Sequence, residues 1–217
     1  MQASDTTRRT VDGPVGEIEL FIDAPRSGPR GIAVIAHPQP LLGGTASHKV
    51  PQLLARTCRD LGWLAVRPNF RGVGGTAGTH GDGVGETDDL VAVIDTLRAE
   101  LPSAPLALVG FSFGAFVQGR VVARLAGEHR PVAHVVLAGF PVGTVDGGRT
   151  YDAGALPKGS VVIHGELDEH VPLSAVLSWA RAHYQPVTVI PGADHFFNGK
   201  LGMLRLVVES ELQRNAT

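Results

Sequence analysis

Gly110-Phe111-Ser112-Phe113-Gly114 lies between the apolar run Leu106-Ala107-Leu108-Val109 and a helical pattern, Ala115–Leu125. A Gly-x-Ser-x-Gly segment between a strand and a helix forces a sharp turn with the serine at its apex. Backbone crowding at the flanks leaves room for hydrogen only, which accounts for Gly110 and Gly114. The hydroxyl then projects away from the sheet, where it can attack a carbonyl. With 28 glycines in 217 residues, chance alone supplies roughly 0.15 copies of the pattern, so its weight comes from its surroundings.

Outward from this turn, short apolar runs alternate with helical patterns. Thr6–Val11 and Val15–Ile22 read as strands joined through Asp12-Gly13-Pro14. Gly31–Ala36 and Trp63–Arg67 are continuous apolar stretches suited to strands buried on both faces. Ser47 is placed to cap a helix running to about Leu61, and Thr87 to cap Asp88–Leu101, after a glycine-rich loop from Asn69 to Gly85. Val132–Ala138, Val161–His164 and Val187–Ile190 read as strands; Leu173–His183 and Phe197–Leu212 read as helices. Alternation from residue 31 onward predicts a mostly parallel sheet with helices on both faces, an α/β fold in one domain spanning 1–217. In such sheets ligands bind beyond the carboxyl ends of the strands, where Ser112 falls.

Bulk properties narrow the function. A 43% hydrophobic, 18% charged chain is globular rather than disordered. A net charge of -2 gives no reason to expect nucleic acid or an anionic membrane as partner. No apolar run approaches the roughly 18 residues needed to span a bilayer. The polar stretch Met1–Thr10 has no apolar leader. Cys58 is alone and reads as a small core residue. The histidines form no compact metal-ligand spacing. A cytoplasmic protein acting on a small molecule, without metal or cofactor, is the expectation.

A serine hydroxyl needs a base within hydrogen-bond reach, and the base needs an orienting carboxylate. His195 follows the strand Val187–Ile190, and Asp168 follows the strand Val161–His164, so both reach the edge where Ser112 sits. Glu166 and Glu169 are rivals to Asp168 and read as solvated loop acids. Asp194 reads as a turn-former. His37 and His164 end strands and are expected to brace loops. Arg71 either clamps a substrate carboxylate or ties down the glycine-rich loop. Asp88 and Asp89 suit a helix first turn.

The stretches HPQPLLGGT (37–45), NFRGVGGT (69–76), GFSFG (110–114), HGELDEHVP (164–172) and GADHFF (192–197) occur in the order found in α/β-hydrolases. Nearly end to end, the chain resembles that fold, and most of all the small bacterial hydrolases without a lid related to dienelactone hydrolases and carboxylesterases. The resemblance implies a three-layer sandwich around a sheet of about eight strands. It implies Ser112 as nucleophile, His195 as base and Asp168 as orienter, cleaving a small or medium ester or thioester through an acyl-enzyme. Alternatives are a hydrolase-like binding protein with little turnover, or perhydrolysis, carbon–carbon or amide cleavage on the same scaffold. The oxyanion donors are expected to be the backbone N–H of Phe113 and one from the loop after Gly31–Ala36. Pro38 and Pro40 have no N–H, which leaves Gln39 and Leu41, with Gln39 favoured. Between Ala138 and Val161 only about 22 residues connect the strands, too few for a helical cap. A mobile loop over Val142–Gly154 and an open site are expected. Leu41, Leu42, Phe140 and Phe196 are candidate substrate-binding residues, with Phe113 and Phe197 also expected near the lining.

Overall fold

The computed structural model describes residues 6–214; Met1–Asp5, part of the polar amino-terminal stretch, lies outside the described residues. Two antiparallel strands, β1 (Thr7–Gly13) and β2 (Gly16–Asp23), open the chain and are joined by a turn at Pro14-Val15. Then follow β3 (Gly31–Ala36), α1 (Lys49–Asp60), β4 (Trp63–Pro68), α2 (Val84–Glu100), β5 (Leu106–Phe111), α3 (Phe113–Gly127) and β6 (His134–Ala138). A small ribbon, β7 (Gly143–Thr144) and β8 (Thr150–Tyr151), precedes β9 (Val161–Gly165), α4 (Leu173–His183), β10 (Val187–Ile190) and α5 (Leu201–Leu212). The main sheet has eight strands in the order β1-β2-β4-β3-β5-β6-β9-β10. From β4 to β10 every pairing is parallel, while β2 pairs antiparallel with both β1 and β4.

Strand periodicity divides the core into two halves. In β5, Leu106 and Leu108 point to one face, and Ala107, Val109 and Phe111 to the other. The first face is covered by α2, α3 and α4 through residues such as Ile94, Val121 and Trp179. The second is covered by α1 and α5 through Leu54, Cys58, Leu204 and Val208. Because both faces are covered, the central strands are apolar without a break, as parallel strands require. Burial pushes the Cys58 thiol up to about 12, in keeping with a core role.

Register fixes the functional edge. Ala36 pairs with Gly110, Phe111 with Ala138, Ala138 with Ile163, and Gly165 with Ile190. The loops that follow β3, β5, β6, β9 and β10 therefore leave the sheet side by side.

Several boundaries differ from those expected. Helix α1 begins at Lys49 and has no side-chain cap; the Ser47 N–H is instead taken by Thr45 Oγ1 at 3.2 Å, bending the chain before the helix starts. Helix α2 begins at Val84, a turn before Thr87. Glu86 accepts the N–H groups of Gly81 and Gly83, both at 2.8 Å, and Gly83 sits at φ 90, a conformation that favours glycine. Thr87 lies inside the helix, its hydroxyl donating to Gly83 O at 2.6 Å. Helix α5 begins at Leu201 rather than Phe197, because Phe197 adopts φ 54 and its ring is buried. The stretch expected as a mobile loop carries the β7–β8 ribbon and a short 3-10 turn, Asp146–Gly148, and no α-helix separates β6 from β9.

Candidate active site

Ser112 sits between β5 and α3 at φ 56, ψ -126. Such a conformation costs a non-glycine residue of order 1–3 kcal/mol. It is held by the Ser112 N–H donating to Ala138 O at 2.9 Å and by close packing on both sides. A Cβ on Gly110 would lie 2.6 Å from Ala115 Cα, and one on Gly114 would lie 2.3 Å from Ala36 O. The two glycines thus let the helix start hard against the sheet.

His195 lies in the turn after β10. Asp194 closes that turn by accepting the Asn198 backbone N–H at 2.9 Å and its side-chain amide at 2.6 Å, the turn-forming role expected of it. The His195 ring packs on Phe111 and Phe196, with centroids 5.2 and 5.1 Å away. Its Nδ1 is 2.7 Å from Asp168 Oδ2 and its Nε2 is 2.9 Å from Ser112 Oγ. An ionised carboxylate only accepts, so Nδ1 carries the proton and Nε2 is free to accept from the serine hydroxyl.

Asp168 Oδ1 accepts the N–H groups of His170 and Val171 at 3.0 and 2.8 Å. Burial alone would raise its pKa. The hydrogen bond and charge of His195, with the Val171 N–H, outweigh burial and hold the carboxyl below its ordinary range. The rival Glu166 instead accepts the Gly192 N–H at 2.8 Å and braces the loop after β10. His164 is buried behind Asp168, with Nε2 at 2.9 Å from Val171 O and 3.4 Å from Asp168 Oδ2. Burial holds His164 below its ordinary pKa.

His37 uses both nitrogens. Nδ1 donates to Pro38 O at 2.7 Å, and Nε2 accepts the Phe70 N–H at 2.9 Å. It is therefore a brace for its loop. Arg71 grips Asp89 through two bonds of 2.8 and 2.7 Å and donates to Gly85 O at 2.8 Å. Of its two readings, tying down the glycine-rich loop matches these contacts.

A cleft of about 110 Å³ opens over Ser112 and His195. Leu42, His48, Tyr151, His170 and Phe196 are among its lining residues. Four residues expected at the lining are not part of it. Phe140 is 1% exposed and packs 5.0 Å from Trp179, because Gly139 at φ 58 turns the chain inward. Leu41 points outward from the short 3-10 turn Pro40–Leu42 and is 65% exposed. Phe113 and Phe197 are also core residues. His48, Tyr151 and His170 escaped the sequence reading. Tyr151 had one signal, being the lone aromatic of the glycine-rich stretch Val142–Gly154. A larger hollow of about 460 Å³ lies at the opposite sheet edge, around His134 and Glu211. There the His134 ring is committed to Glu211 at 3.0 Å.

Among the described residues no cluster of three His, Cys, Asp or Glu could hold a metal ion, and no helix is long and apolar enough to cross a membrane. The backbone N–H groups of Gln39 and Phe113 have no hydrogen-bond partner among the described residues. The Leu41 N–H is directed at Gln39 Oε1, 3.4 Å away.

Residues 41–148 match the family model of the alpha/beta hydrolase fold. An uncharacterized protein of Rickettsia prowazekii is 35% identical over 201 residues, covering 87% of this chain and 81% of its own. A solved Xanthomonas campestris protein, described as an α/β serine hydrolase without a lid, is 34% identical. It aligns with a TM-score of 0.85 over 99% of this chain and 96% of its own. An alpha-beta serine hydrolase homologue from Coxiella burnetii is 32% identical, with a TM-score of 0.83 over 98% and 99% of the two chains.

Proposed function

The chain belongs to the α/β-hydrolase family, and we propose that it hydrolyses small carboxylic esters or thioesters through an acyl-enzyme on Ser112. The observation that carries this reading is the unbroken contact from Asp168 Oδ2 to His195 Nδ1 and from His195 Nε2 to Ser112 Oγ, at 2.7 and 2.9 Å. Ser112 Oγ attacks the carbonyl carbon while its proton moves to His195 Nε2. The imidazolium that forms is stabilised by Asp168, whose two further N–H bonds keep it ionised and aimed. Collapse of the tetrahedral intermediate expels the alcohol or thiol, which takes the proton from Nε2. Water, deprotonated by His195, then releases the acid and restores the serine.

The carbonyl oxygen gains negative charge during both steps. We assign its donors to the Phe113 and Gln39 N–H groups. Both are free of other partners among the described residues, and Phe113 opens α3, whose amino end favours an anion. Each such donor is worth roughly 2.7–4 kcal/mol to the transition state. Leu41 is the weaker candidate because its N–H faces Gln39 Oε1.

Cleft size bears on the substrate. About 110 Å³ is well below the roughly 300–1,000 Å³ typical of sites for larger ligands. Leu42 and Phe196 supply the apolar wall. A short acyl group fits, with the leaving group towards solvent. The test is a chain-length series of p-nitrophenyl esters beside acyl-CoA thioesters. Acetyl and butanoyl esters should give the highest kcat/KM. A protein that turns over no member of either series, or prefers palmitoyl esters, contradicts the proposal.

A further inference from the structure

We propose that Tyr151 is a positioning residue for the oxyanion site, holding the Gln39 N–H and the Phe113 N–H at the separation the tetrahedral intermediate needs. This rests on the reading of Ser112 as nucleophile.

The two donors belong to separate parts of the chain. Phe113 stands at the start of α3, fixed by the close approach of Gly114 to Ala36. Gln39 stands at the crest of the loop after β3. That loop is closed locally by the N–H groups of Leu42 and Gly44 on Gln39 O, at 3.1 and 2.9 Å. Local bonds set the shape of the turn but not its position over α3. Its base is tied by His37 to Phe70, and its far end by the Ala46 N–H on Asn69 Oδ1 at 2.9 Å. At the crest itself, one long-range hydrogen bond occurs among the described residues: Gln39 Nε2 donates to Tyr151 Oη at 3.2 Å, across 112 positions of sequence.

Tyr151 also packs beside the side chain of the residue that carries the other donor. Its ring meets Phe116 edge-on at 5.0 Å and lies 6.4 Å from Phe113. The residue is 9% exposed, so the hydrogen bond is shielded from water. The ribbon that carries Tyr151 is itself anchored to the acid-bearing loop, because the Asp146 N–H donates to His170 O at 3.0 Å. His170 in turn donates its N–H to Asp168. The β7–β8 ribbon therefore links the oxyanion loop, the helix start and the acid loop, and Tyr151 is its contact with the first two.

Tyr151→Phe keeps the ring and removes the hydroxyl. Donor removal at an oxyanion site costs about 10²–10³ in rate, so displacing one of two donors should lower kcat by about tenfold, with KM changed less than about twofold. Phenylboronic acid, which forms a tetrahedral adduct on the serine oxygen, should bind more weakly by the same factor as kcat/KM falls. Gln39→Ala should lower kcat similarly, and the double variant should be no slower than Gln39→Ala alone, since both changes break one bond. Unchanged kcat in Tyr151→Phe, a rise in KM at constant kcat, unaltered boronate affinity, or additive losses would each overturn the proposal. Thermal unfolding of the variant confirms that the assay temperature lies below its midpoint; Tyr151→Trp serves as a second variant that also lacks the hydroxyl and should lose kcat in the same way. If Ser112→Ala retains turnover, the nucleophile assignment fails. If Ser112→Ala is inert and Tyr151→Phe behaves as wild type, only the positioning role fails.

Discussion

Acidification should destabilise this protein through His37. The ring is buried, and its two nitrogens are committed to Pro38 O and to the Phe70 N–H. Protonating Nε2 would bury a charge and set that nitrogen against a donor. Burial holds the His37 pKa down to about 3 from an ordinary 6.5; the Pro38 carbonyl opposes the shift and His48 adds to it. In the unfolded chain the ring takes up its proton near the ordinary value. Between the two values the unfolded state binds the extra proton. Stability is therefore intact above about 6.5 and falls as pH drops towards 3, at about 1.4 kcal/mol per pH unit. Between about pH 7.5 and about pH 5, His37 alone should cost about 2 kcal/mol. Urea unfolding at both pH values, in wild type and His37→Gln, measures this. The glutamine amide can accept the Phe70 N–H and does not titrate. His164 and His48 are also held down by burial, but their contributions cancel in the comparison. Wild type should lose about 2 kcal/mol more than the variant over this range; equal losses would refute the reasoning.

Asp168→Asn should lower kcat by about 10⁴ by favouring the wrong His195 tautomer, whereas Glu166→Gln should change it less than about tenfold, as measured by steady-state ester hydrolysis. A larger loss in the glutamate variant would identify Glu166 as the orienting acid. Arg71→Met leaves the Asp89 carboxylate buried without its partner and should cost about 3 kcal/mol in urea unfolding. The same variant should leave the ratio of kcat/KM for succinyl half-esters to that for neutral esters unchanged; a selective loss of the acidic substrate would instead make Arg71 a substrate clamp.

Much of this arrangement was legible in the sequence because it depends on local chemistry. Val187–Ile190 and Leu173–His183 have the expected bounds, since a run of β-branched residues and helical periodicity mark them directly. The proximity of Ser112, Asp168 and His195 followed from each lying just beyond a strand of one parallel sheet. What escaped depends on distant parts of the chain. The start of α2 is set by Gly83 and by Glu86 reaching back, not by a hydroxyl at the end of the helix. The two-residue strands of the ribbon have no periodicity to read; Tyr151 is held by Gln39, Phe113 and Phe116, all remote in sequence. Phe140 follows a strand as the site residues do, but the left-handed turn at Gly139 sends its ring into the core.

Reaction with a fluorophosphonate, followed by mass spectrometry of the labelled peptide, tests directly whether the Ser112 oxygen is activated by His195. Wild type should gain one covalent adduct on Ser112; Ser112→Ala should gain none, and His195→Ala should label far more slowly with unchanged circular dichroism. A folded wild-type protein that remains unlabelled, or a label on another serine that persists in Ser112→Ala, would contradict the assignment.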